Sequence, residues 1–385
     1  MSAFQFTTVP SILVERGISG RLGAVLRTRY PDHSRLCIVT DRFLHEGGLI
    51  DPALADLRKH GWQVTVIDDV VADPPERVVL EATERARASG AEVVIGLGGG
   101  SSMDVAKLIA VLAPGKQSLA DIYGVQKVTG HRLPLVQVPT TAGTGSEVTA
   151  VSIVTTGETT KTGVVAPQLI ADMAILDAGL TVGLPRHATA ATGIDAMVHA
   201  IEAYTSIRAK NPLSDMLAER ALKLLSRNLL RACDDGSDLE AREAMLLGAM
   251  LAGQAFANAP VAAVHALAYP VGGIFHVPHG LSNALVLPHV LRFNAPSASH
   301  WYARLAEIVV PEATGGDEDK TLALIAHMER LIEATGIPRT LREVGVRQED
   351  LARMASDAML QTRLLVNNPR PVTEKDALAI YSAAF

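Results

Sequence analysis

The stretch from Glu92 to Leu112 limits the fold more than any other part of the sequence. Glu92-Val-Val-Ile-Gly96 predicts a short buried β-strand, and the apolar spacing from Ser102 to Leu112 predicts a helix. Three successive glycines lie between the two. A strand that passes through a glycine turn into a helix is typical of βαβ units, which place parallel strands in one sheet.

Further β-rich runs alternate with helical patterns throughout the first half. They lie at residues 36–40, 63–67 and 133–138, and a helix with a charged face is predicted over residues 75–89. From about His187 onward the sequence changes to long Ala- and Leu-rich runs of helical period, at residues 191–206, 212–231, 238–258, 318–336 and 373–384. We therefore predict a parallel α/β domain over residues 1–182 and an all-helical domain over residues 183–385.

Charge and cysteine content argue against several classes of protein. The net charge of −6, without a basic cluster, disfavours a nucleic-acid partner. Cys37 and Cys233 lie far apart without CxxC spacing, so we expect neither a disulfide nor a thiolate metal site, and a cytoplasmic location fits. The N-terminus lacks the pattern of a secretory signal. The longest apolar tract, from about Ala244 to Val264, is interrupted by Gln254 and Asn258, which predicts a buried helix and no membrane partner.

The glycines before the predicted helix are suited to binding a phosphate. Glycines let a ligand approach the backbone closely, and the free N–H groups of a helix N-terminus favour an anion. Ser101 or Ser102 can cap this helix. A plain strand-to-helix turn is the alternative, but such a turn needs one glycine rather than three. We therefore predict a phosphate-binding turn.

The cofactor that this turn indicates is a dinucleotide, but the sequence motifs that would bind it occur in an unusual order along the chain. The sequence departs from the GxGxxG fingerprint, in which an acidic residue follows about 20 residues later. The better acid here is Asp41, at the end of an earlier strand, where it would bind a ribose hydroxyl and favour NAD over NADP. Asp41 can also serve as a helix or turn cap. A second run of small polar residues, Pro139 to Thr149, follows another predicted strand and belongs to the same ligand-binding edge.

Histidines in the second half predict a metal site. Three of them, His265, His276 and His279, lie in one short, mostly apolar run. Each buried imidazole needs a polar partner, which is either an ordinary hydrogen bond or a metal ion. Asp195 and His199 have the i, i+4 spacing that places them on one helix face. Together with His265 and His279 they offer one carboxylate and three imidazoles, which suit Fe²⁺, Zn²⁺, Co²⁺ or Ni²⁺ better than Ca²⁺ or Mg²⁺.

Several motifs, in order along essentially the whole chain, resemble those of the iron-containing (group III) alcohol dehydrogenase family. They are Gly98-Gly-Gly-Ser-Ser-Met-Asp-Val-Ala-Lys107, Pro139-Thr-Thr-Ala-Gly-Thr-Gly-Ser-Glu-Val-Thr149, Gly193-Ile-Asp-Ala-Met-Val-His-Ala-Ile-Glu202, His265-Ala-Leu-Ala, Pro278-His-Gly280 and Asn368-Pro-Arg370. The resemblance implies a Rossmann-like N-terminal domain, a helical C-terminal domain and an active site in the cleft between them. This is the fold shared by dehydroquinate synthase and the iron-containing alcohol dehydrogenases.

The resemblance also implies a role for individual residues. For the metal, with iron expected first and zinc second, it implies the ligands Asp195, His199, His265 and His279. For NAD it implies a site lined by Asp41, Gly98, Gly99, Gly100, Ser101, Thr140, Thr141, Thr144, Thr149 and Lys161. Many members of the family are dimers or larger, so we expect a homodimer or a higher homo-oligomer.

Two positions depart from the family pattern. The family often has His where this chain has Tyr269, and that His is usually linked to proton transfer. Near the N-terminus the usual Phe-Gly-x-Gly-Ala is replaced by Arg16-Gly-Ile-Ser-Gly20. We therefore take Tyr269 and His276 as the candidates for a proton relay. For His276 the alternative is a core histidine bonded to the backbone.

The predicted reaction is reversible hydride transfer between NAD and a small primary alcohol or diol, giving the aldehyde. A glycerol-type dehydrogenase and a maleylacetate-type reductase are the nearer alternatives, and the latter usually lacks the Asp that Asp195 supplies. A dehydroquinate-synthase-type lyase acts on a phosphorylated polyhydroxy acid and needs several Lys or Arg, whereas the helical-domain motifs here are Ala-, Val-, Gly- and Phe-rich. A non-catalytic scaffold is disfavoured because the ligand set is complete.

Overall fold

The computed structural model describes residues 3–157 and 160–385. Within them the chain forms two compact units. One comprises Thr8–Thr141 and Ser146–Val182, and the other comprises Ala142–Gly145 and Gly183–Phe385 with the N-terminal segment that ends at Thr7. Strands alternate with helices in the first unit, whereas the second is helical.

The first unit contains a sheet that is parallel throughout. In the described part of the chain, the strands of the whole unit are β1 (Ile12–Val14), β2 (Arg35–Val39), β3 (Gln63–Ile67), β4 (Val93–Gly98), β5 (Gly124–Val125), β6 (Leu135–Pro139), β7 (Val151–Thr156), β8 (Thr160–Val165) and β9 (Met173–Leu176). Six of them form the main sheet in the order β1-β9-β6-β4-β2-β3, with every neighbouring pair parallel. The central strand β4 is buried along its whole length, as expected for a Val/Ile-rich strand covered on both faces. The predicted parallel sheet is confirmed.

A smaller sheet was not predicted from the sequence. Strands β7 and β8 pair antiparallel, and β5 joins β8 in parallel. Thr and Ser residues occupy much of β7 and β8, and both strands are only partly buried. Their hydrophobic alternation is therefore weak, and the sequence pattern did not distinguish these two strands from loops.

The helices of the first unit cover the main sheet. They are α1 (Leu22–Arg29), α2 (Arg42–Glu46), α3 (Asp51–Lys59), α4 (Glu76–Ala88), α5 (Gly100–Leu112) and α6 (Leu119–Ile122). Side chains of α1 and α3, among them Leu22, Leu26 and Leu57, pack with Ile38 and Ile95 of the sheet in one buried cluster. Helix α5 begins at Gly100, two residues before the predicted start, so that Ser101 and Ser102 lie inside the helix rather than at its cap. The prediction that one of them caps the helix is wrong.

The second unit consists of helices in the part of the chain that the structure describes. They are α7 (Arg186–Thr205), α8 (Pro212–Asp234), α9 (Leu239–Asn258), α10 (Ala263–Phe275), α11 (His279–Val309), α12 (Asp317–Thr335), α13 (Leu351–Met359), α14 (Thr362–Leu365) and α15 (Glu374–Ala384). The predicted α/β-plus-helical fold class is therefore confirmed. Helices α10 and α11 were not predicted, because they contain Pro270, Pro288 and Pro296, and proline usually ends a helical pattern.

A helix that spans a membrane must be both long enough and apolar enough. No single helix among the described residues meets both requirements. Helices α9 and α10 meet them only as a pair, and the chain bends by 107° between the two.

Candidate metal and active site

Four side chains of the helical unit bring their donor atoms together. Asp195 and His199 project from α7, His265 lies in the first turn of α10, and His279 is the first residue of α11. Their ligand atoms all lie within 4.8 Å of one another. The Nε2 atoms of His199, His265 and His279 are 3.9, 3.8 and 3.7 Å from Asp195 Oδ1. The structure therefore brings together all four of the residues for which we predicted a metal-binding role.

Glycine allows α11 to start close to α7. A Cβ atom on Gly280 would lie 2.3 Å from the carbonyl oxygen of Ala191 and 3.2 Å from Cβ of Asp195. The first distance is shorter than real Cβ contacts, so any larger residue would force the two helices apart. Gly280 thus lets His279 reach the same point as the two side chains of α7.

The surroundings of His199 and Asp195 favour the protonation states that bind a metal. Burial lowers the pKa of His199 to about 3, although the nearby Asp195 carboxylate opposes the shift. The ring of His199 stacks on Phe256 with the ring centroids 4.3 Å apart. For Asp195, burial alone would raise the pKa, but the three imidazoles and the Asn283 amide together lower it. Neutral imidazole and ionised carboxylate are the protonation states that bind divalent metals.

The four residues fit a divalent ion in number, chemistry and spacing. Mixed nitrogen and oxygen ligation suits iron and zinc. A tetrahedral ion with bonds of about 2.1 Å holds its ligands roughly 3.4 Å apart, close to the separations from Asp195 Oδ1 found here. The side chain of His279 is 34% exposed, whereas the other three are 6% exposed or less. The set is thus buried on one side and open at His279.

Asn283 contacts this donor set and was missed in the sequence. It follows His279 by one helical turn of α11. Its Nδ2 lies 2.6 Å from Asp195 Oδ1, 3.3 Å from His279 Nε2 and 3.4 Å from His265 Nε2. Its buried Oδ1 has no hydrogen-bond partner among the described residues. The i, i+4 spacing from His279 is the sequence signal that could have found it.

Glu202 is a second residue that was missed. It lies on α7, one turn beyond His199, and its carboxylate accepts a hydrogen bond from Nδ1 of His265 at 2.6 Å. Its position in the motif that contains Asp195 and His199 is the available signal, because i, i+3 and i, i+4 spacing places all three on one face of α7.

The two proton-relay candidates lie in different environments. The ring of Tyr269 is half-buried and tilted by 53° to the ring of His279, with the centroids 6.1 Å apart. His276 is exposed and ends α10 in the left-handed conformation, with φ of 55°. The structure therefore places Tyr269 beside a proposed ligand and His276 on the surface at the end of a helix.

The glycine turn of the α/β unit places backbone donors at a helix start. Gly98 ends β4, Gly99 is the N-cap residue of α5, and Gly100 is the first residue of the helix. No side chain in the described part of the chain caps this end of α5. The amide of Thr140, just after β6, donates to the carbonyl of Gly98 at 3.0 Å, so the two turns lie side by side. Uncapped N–H groups at a helix start are the donors that a phosphate needs.

Two charged residues of the predicted NAD site have partners within the protein. Asp41 is half-exposed and caps α2 by accepting from the amide of Leu44 at 2.9 Å. Lys161 pairs with Asp73 at 2.5 Å. Asp41 therefore serves as the cap that the sequence left open as an alternative.

The threonines predicted for the NAD site divide between the two units. Thr140 and Thr141 belong to the α/β unit, and Thr144 to the segment Ala142–Gly145 of the helical unit. Thr149 is buried, and its hydroxyl accepts from Nζ of Lys107 at 3.0 Å. Lys107, which the sequence analysis did not single out, is fully buried and also donates to Ser146 Oγ at 2.7 Å. Lys107 thus fixes the end of the Pro139 to Thr149 run.

Each of the two units resembles the corresponding part of one known protein family. Residues 10–178 match the family model for iron-containing alcohol dehydrogenase, and residues 189–385 match the model for the C-terminal part of the Fe-containing alcohol dehydrogenase family. Long-chain-alcohol dehydrogenase 1 of Geobacillus thermodenitrificans (strain NG80-2) is 44% identical over 359 residues, which are 91% of this chain and 89% of that protein.

Two solved structures extend the comparison to the fold. The crystal structure of a 1,3-propanediol oxidoreductase superposes with a TM-score of 0.95 at 35% identity and full coverage of both chains. Sulfoacetaldehyde reductase from Bifidobacterium kashiwanohense, solved in complex with NAD⁺, gives a TM-score of 0.89 at 27% identity, with coverage of 100% of this chain and 99% of the other. The resemblance read from the sequence motifs is confirmed.

Proposed function

The chain belongs to the iron-containing alcohol dehydrogenase family, and we propose that it interconverts a small primary alcohol or diol and its aldehyde with NAD as the hydride carrier. It is an oxidoreductase of the alcohol dehydrogenase type. One observation carries this proposal: in a chain of this family, one carboxylate and three imidazoles meet at one point. Three of these donors are buried, and His279 is partly exposed.

We propose that Asp195, His199, His265 and His279 hold one divalent ion, with Fe²⁺ favoured and Zn²⁺ the alternative. When bound, such an ion supplies Lewis acidity toward an alcohol or aldehyde oxygen. The chain's own part is to present three imidazoles and one carboxylate from three helices, with the pKa of His199 lowered by burial. Burial of three of the four donors excludes water from that side of the site.

We propose that the NAD pyrophosphate binds at the start of α5. Gly98, Gly99, Gly100 and Ser101 supply the close backbone approach and the free N–H groups. NAD supplies the nicotinamide that accepts or donates the hydride. Thr140, Thr141, Thr144, Thr149 and Lys161 complete the proposed site, and the NAD⁺ complex of the related sulfoacetaldehyde reductase supports the choice of cofactor.

Replacing Asp41 tests its proposed role in cofactor choice. The matched pair Asp41→Asn and Asp41→Gly separates charge from capping, because Asn caps a helix about as well as Asp. Loss of the charge removes repulsion of a 2′-phosphate, so both variants should shift the NAD/NADP ratio of kcat/KM toward NADP by roughly tenfold, or about 1.4 kcal/mol. If Asp41→Asn keeps the wild-type ratio, Asp41 is only the cap of α2.

Replacing Tyr269 tests its proposed part in proton transfer. Tyr269→Phe keeps the ring beside His279 but removes the hydroxyl. We expect turnover to fall roughly 10- to 100-fold or the pH optimum to shift, because acid–base groups contribute at least that much. Tyr204→Phe is the control, because it also removes a tyrosine hydroxyl, one that donates to Glu219 at 3.2 Å and has no proposed part in proton transfer. An unchanged rate and pH profile for Tyr269→Phe would mean that this ring only packs.

His276 remains the second relay candidate in this proposal. Its exposed position requires water or a ribose hydroxyl to connect it to the substrate. Tyr269 is favoured because its ring lies beside a proposed metal ligand.

The alternatives within the same fold differ in what the site must bind. Asp195 supplies the carboxylate that maleylacetate-type reductases usually lack. A glycerol-type dehydrogenase differs in substrate rather than in reaction, and a dehydroquinate-synthase-like lyase would form product without net NADH. NADH formation over a panel of primary alcohols, diols and glycerol, with the protein loaded with Fe²⁺ or Zn²⁺, distinguishes them, and no NADH from any of these substrates would contradict the proposed function.

We further propose a cytoplasmic homodimer or higher homo-oligomer. Both cysteines, Cys37 and Cys233, are buried and free, which suits a reducing compartment. Light scattering of the purified protein gives the oligomeric state directly.

A further inference from the structure

We propose that Glu202 is the positioning residue of the metal site: it holds His265 in the tautomer and orientation that direct Nε2 toward Asp195. The inference rests on the proposed metal-binding function. It concerns a residue that contacts none of the reacting groups and acts through His265.

Three nitrogen atoms, two of backbone amides and one of an imidazole, lie at hydrogen-bond distance from the buried Glu202 carboxylate. Its Oε2 accepts from His265 Nδ1 at 2.6 Å and from the amide of Ala262 at 3.0 Å, and its Oε1 accepts from the amide of Val264 at 2.6 Å. Both partners in the imidazole contact are about 95% buried. The two backbone amides can only donate, so both carboxylate oxygens are acceptors, and an ionised carboxylate has no proton to offer to Nδ1. The geometry therefore assigns the imidazole proton to Nδ1, from which it is donated to Oε2.

This tautomer leaves the lone pair of Nε2 free for a metal. Nε2 of His265 lies 3.8 Å from Asp195 Oδ1, on the side where the four donors meet. A carboxylate bonded to the remote nitrogen of a ligating imidazole also increases the basicity of the ligating nitrogen. Glu202 therefore determines which nitrogen of His265 can bind the ion.

The same carboxylate determines where α10 begins. Ala262, the N-cap residue of α10, has no side chain that can cap the helix, and Glu202 bonds the N–H groups of Ala262 and Val264 instead. Because His265 follows in the first turn, one side chain of α7 fixes both the start of the helix and the ring that the helix carries. Asp195, His199 and Glu202 all come from α7, so this helix supplies two ligands and orients a third.

Glu202→Gln tests the proposal because it keeps the size of the side chain and replaces one of its two acceptor oxygens by an NH₂ donor. The amide group cannot accept all three N–H donors, and where its NH₂ faces His265 the imidazole must place its proton on Nε2. We expect the Zn²⁺ and Co²⁺ dissociation constants of the variant to rise about 10- to 100-fold, measured by chelator competition on metal-free protein. With saturating Co²⁺, the d–d absorption bands should also shift from those of the wild type.

Asp177→Asn is the matched control. Asp177 is a buried carboxylate of the other unit that accepts from the amides of Gly17 and Ser19, and it contacts none of the four donors. The Asp177→Asn variant should have a lower thermal stability and an unchanged metal dissociation constant. A Glu202→Gln variant that is folded by circular dichroism and binds metal within threefold of the wild type would overturn the proposal. Weak binding by the wild type itself would instead refute the metal site.

A measurement on the wild type covers the case in which Glu202→Gln does not fold. In metal-free protein labelled with ¹⁵N-histidine, long-range ¹⁵N–¹H spectra report the tautomer of each ring, and the signal lost in His265→Gln identifies His265. We expect His265 to carry its proton on Nδ1. A proton on Nε2 would overturn the proposal.

Discussion

His265→Ala should lower kcat/KM for alcohol oxidation by at least roughly 1,000-fold, because several kcal/mol of transition-state stabilisation depend on the bound ion. His265 is one of the three buried donors, and its Nε2 faces Asp195 Oδ1. Its removal leaves two imidazoles and one carboxylate, with Glu202 deprived of a partner. Steady-state NADH formation at saturating NAD measures the loss.

A control on the same unit separates chemistry from folding. His187→Ala removes an exposed histidine in the first turn of α7, about two helical turns before Asp195, and it should leave kcat/KM near the wild-type value. Circular dichroism should show that His265→Ala keeps its helix content. A folded, metal-depleted His265→Ala protein that retains wild-type turnover would contradict the metal assignment.

Removal of the metal should have the second large effect. Chelation followed by gel filtration should abolish NADH formation and lower the melting temperature by roughly 5–10 °C, since an ion present at about 1,000 times its dissociation constant stabilises the folded state by about 4 kcal/mol. Adding back Fe²⁺ or Zn²⁺ should restore both properties. An unchanged melting temperature and rate in protein shown to be metal-free would contradict the prediction.

The main elements of the fold could be predicted because their signals are local. The Val- and Ile-rich runs that became β2, β3, β4 and β6 are short, apolar and bounded by polar residues. The helical periods of α7, α8 and α9 are equally clear in the sequence. The edge strand β1, its neighbour β9 and the polar pair β7 and β8 lack such signals, because their pairing depends on residues far away in the chain.

The four side chains of the proposed metal site could be predicted to lie together because residue type and spacing limit them strongly. The i, i+4 pair Asp195 and His199 lies on one helix face in any helix, and His265 and His279 stand out in an apolar run. Glu202 and Asn283 share a helix face with predicted donors, but this spacing alone does not distinguish a side chain that contacts the donor set from one that faces solvent. Their roles appear only when α7, α10 and α11 come together.

Asp41 shows why the cofactor site was harder to predict. An acid at the end of a parallel strand suits both a ribose contact and the cap of the next helix, and the structure shows the cap. The position of the glycine turn between β4 and α5 could be predicted from the strand and helix patterns on either side, and its phosphate-binding role stays a prediction.

One measurement tests the proposed metal centre most directly: the metal content of wild type and Asp195→Ala, loaded anaerobically with Fe²⁺, freed of excess ion and assayed for NADH formation on the same samples. We expect about one ion per chain in the wild type, less than about 0.1 in Asp195→Ala, and a rate that follows the metal content across partly loaded samples. Full activity in metal-free wild type, or about one ion per chain in folded Asp195→Ala, would contradict the assignment.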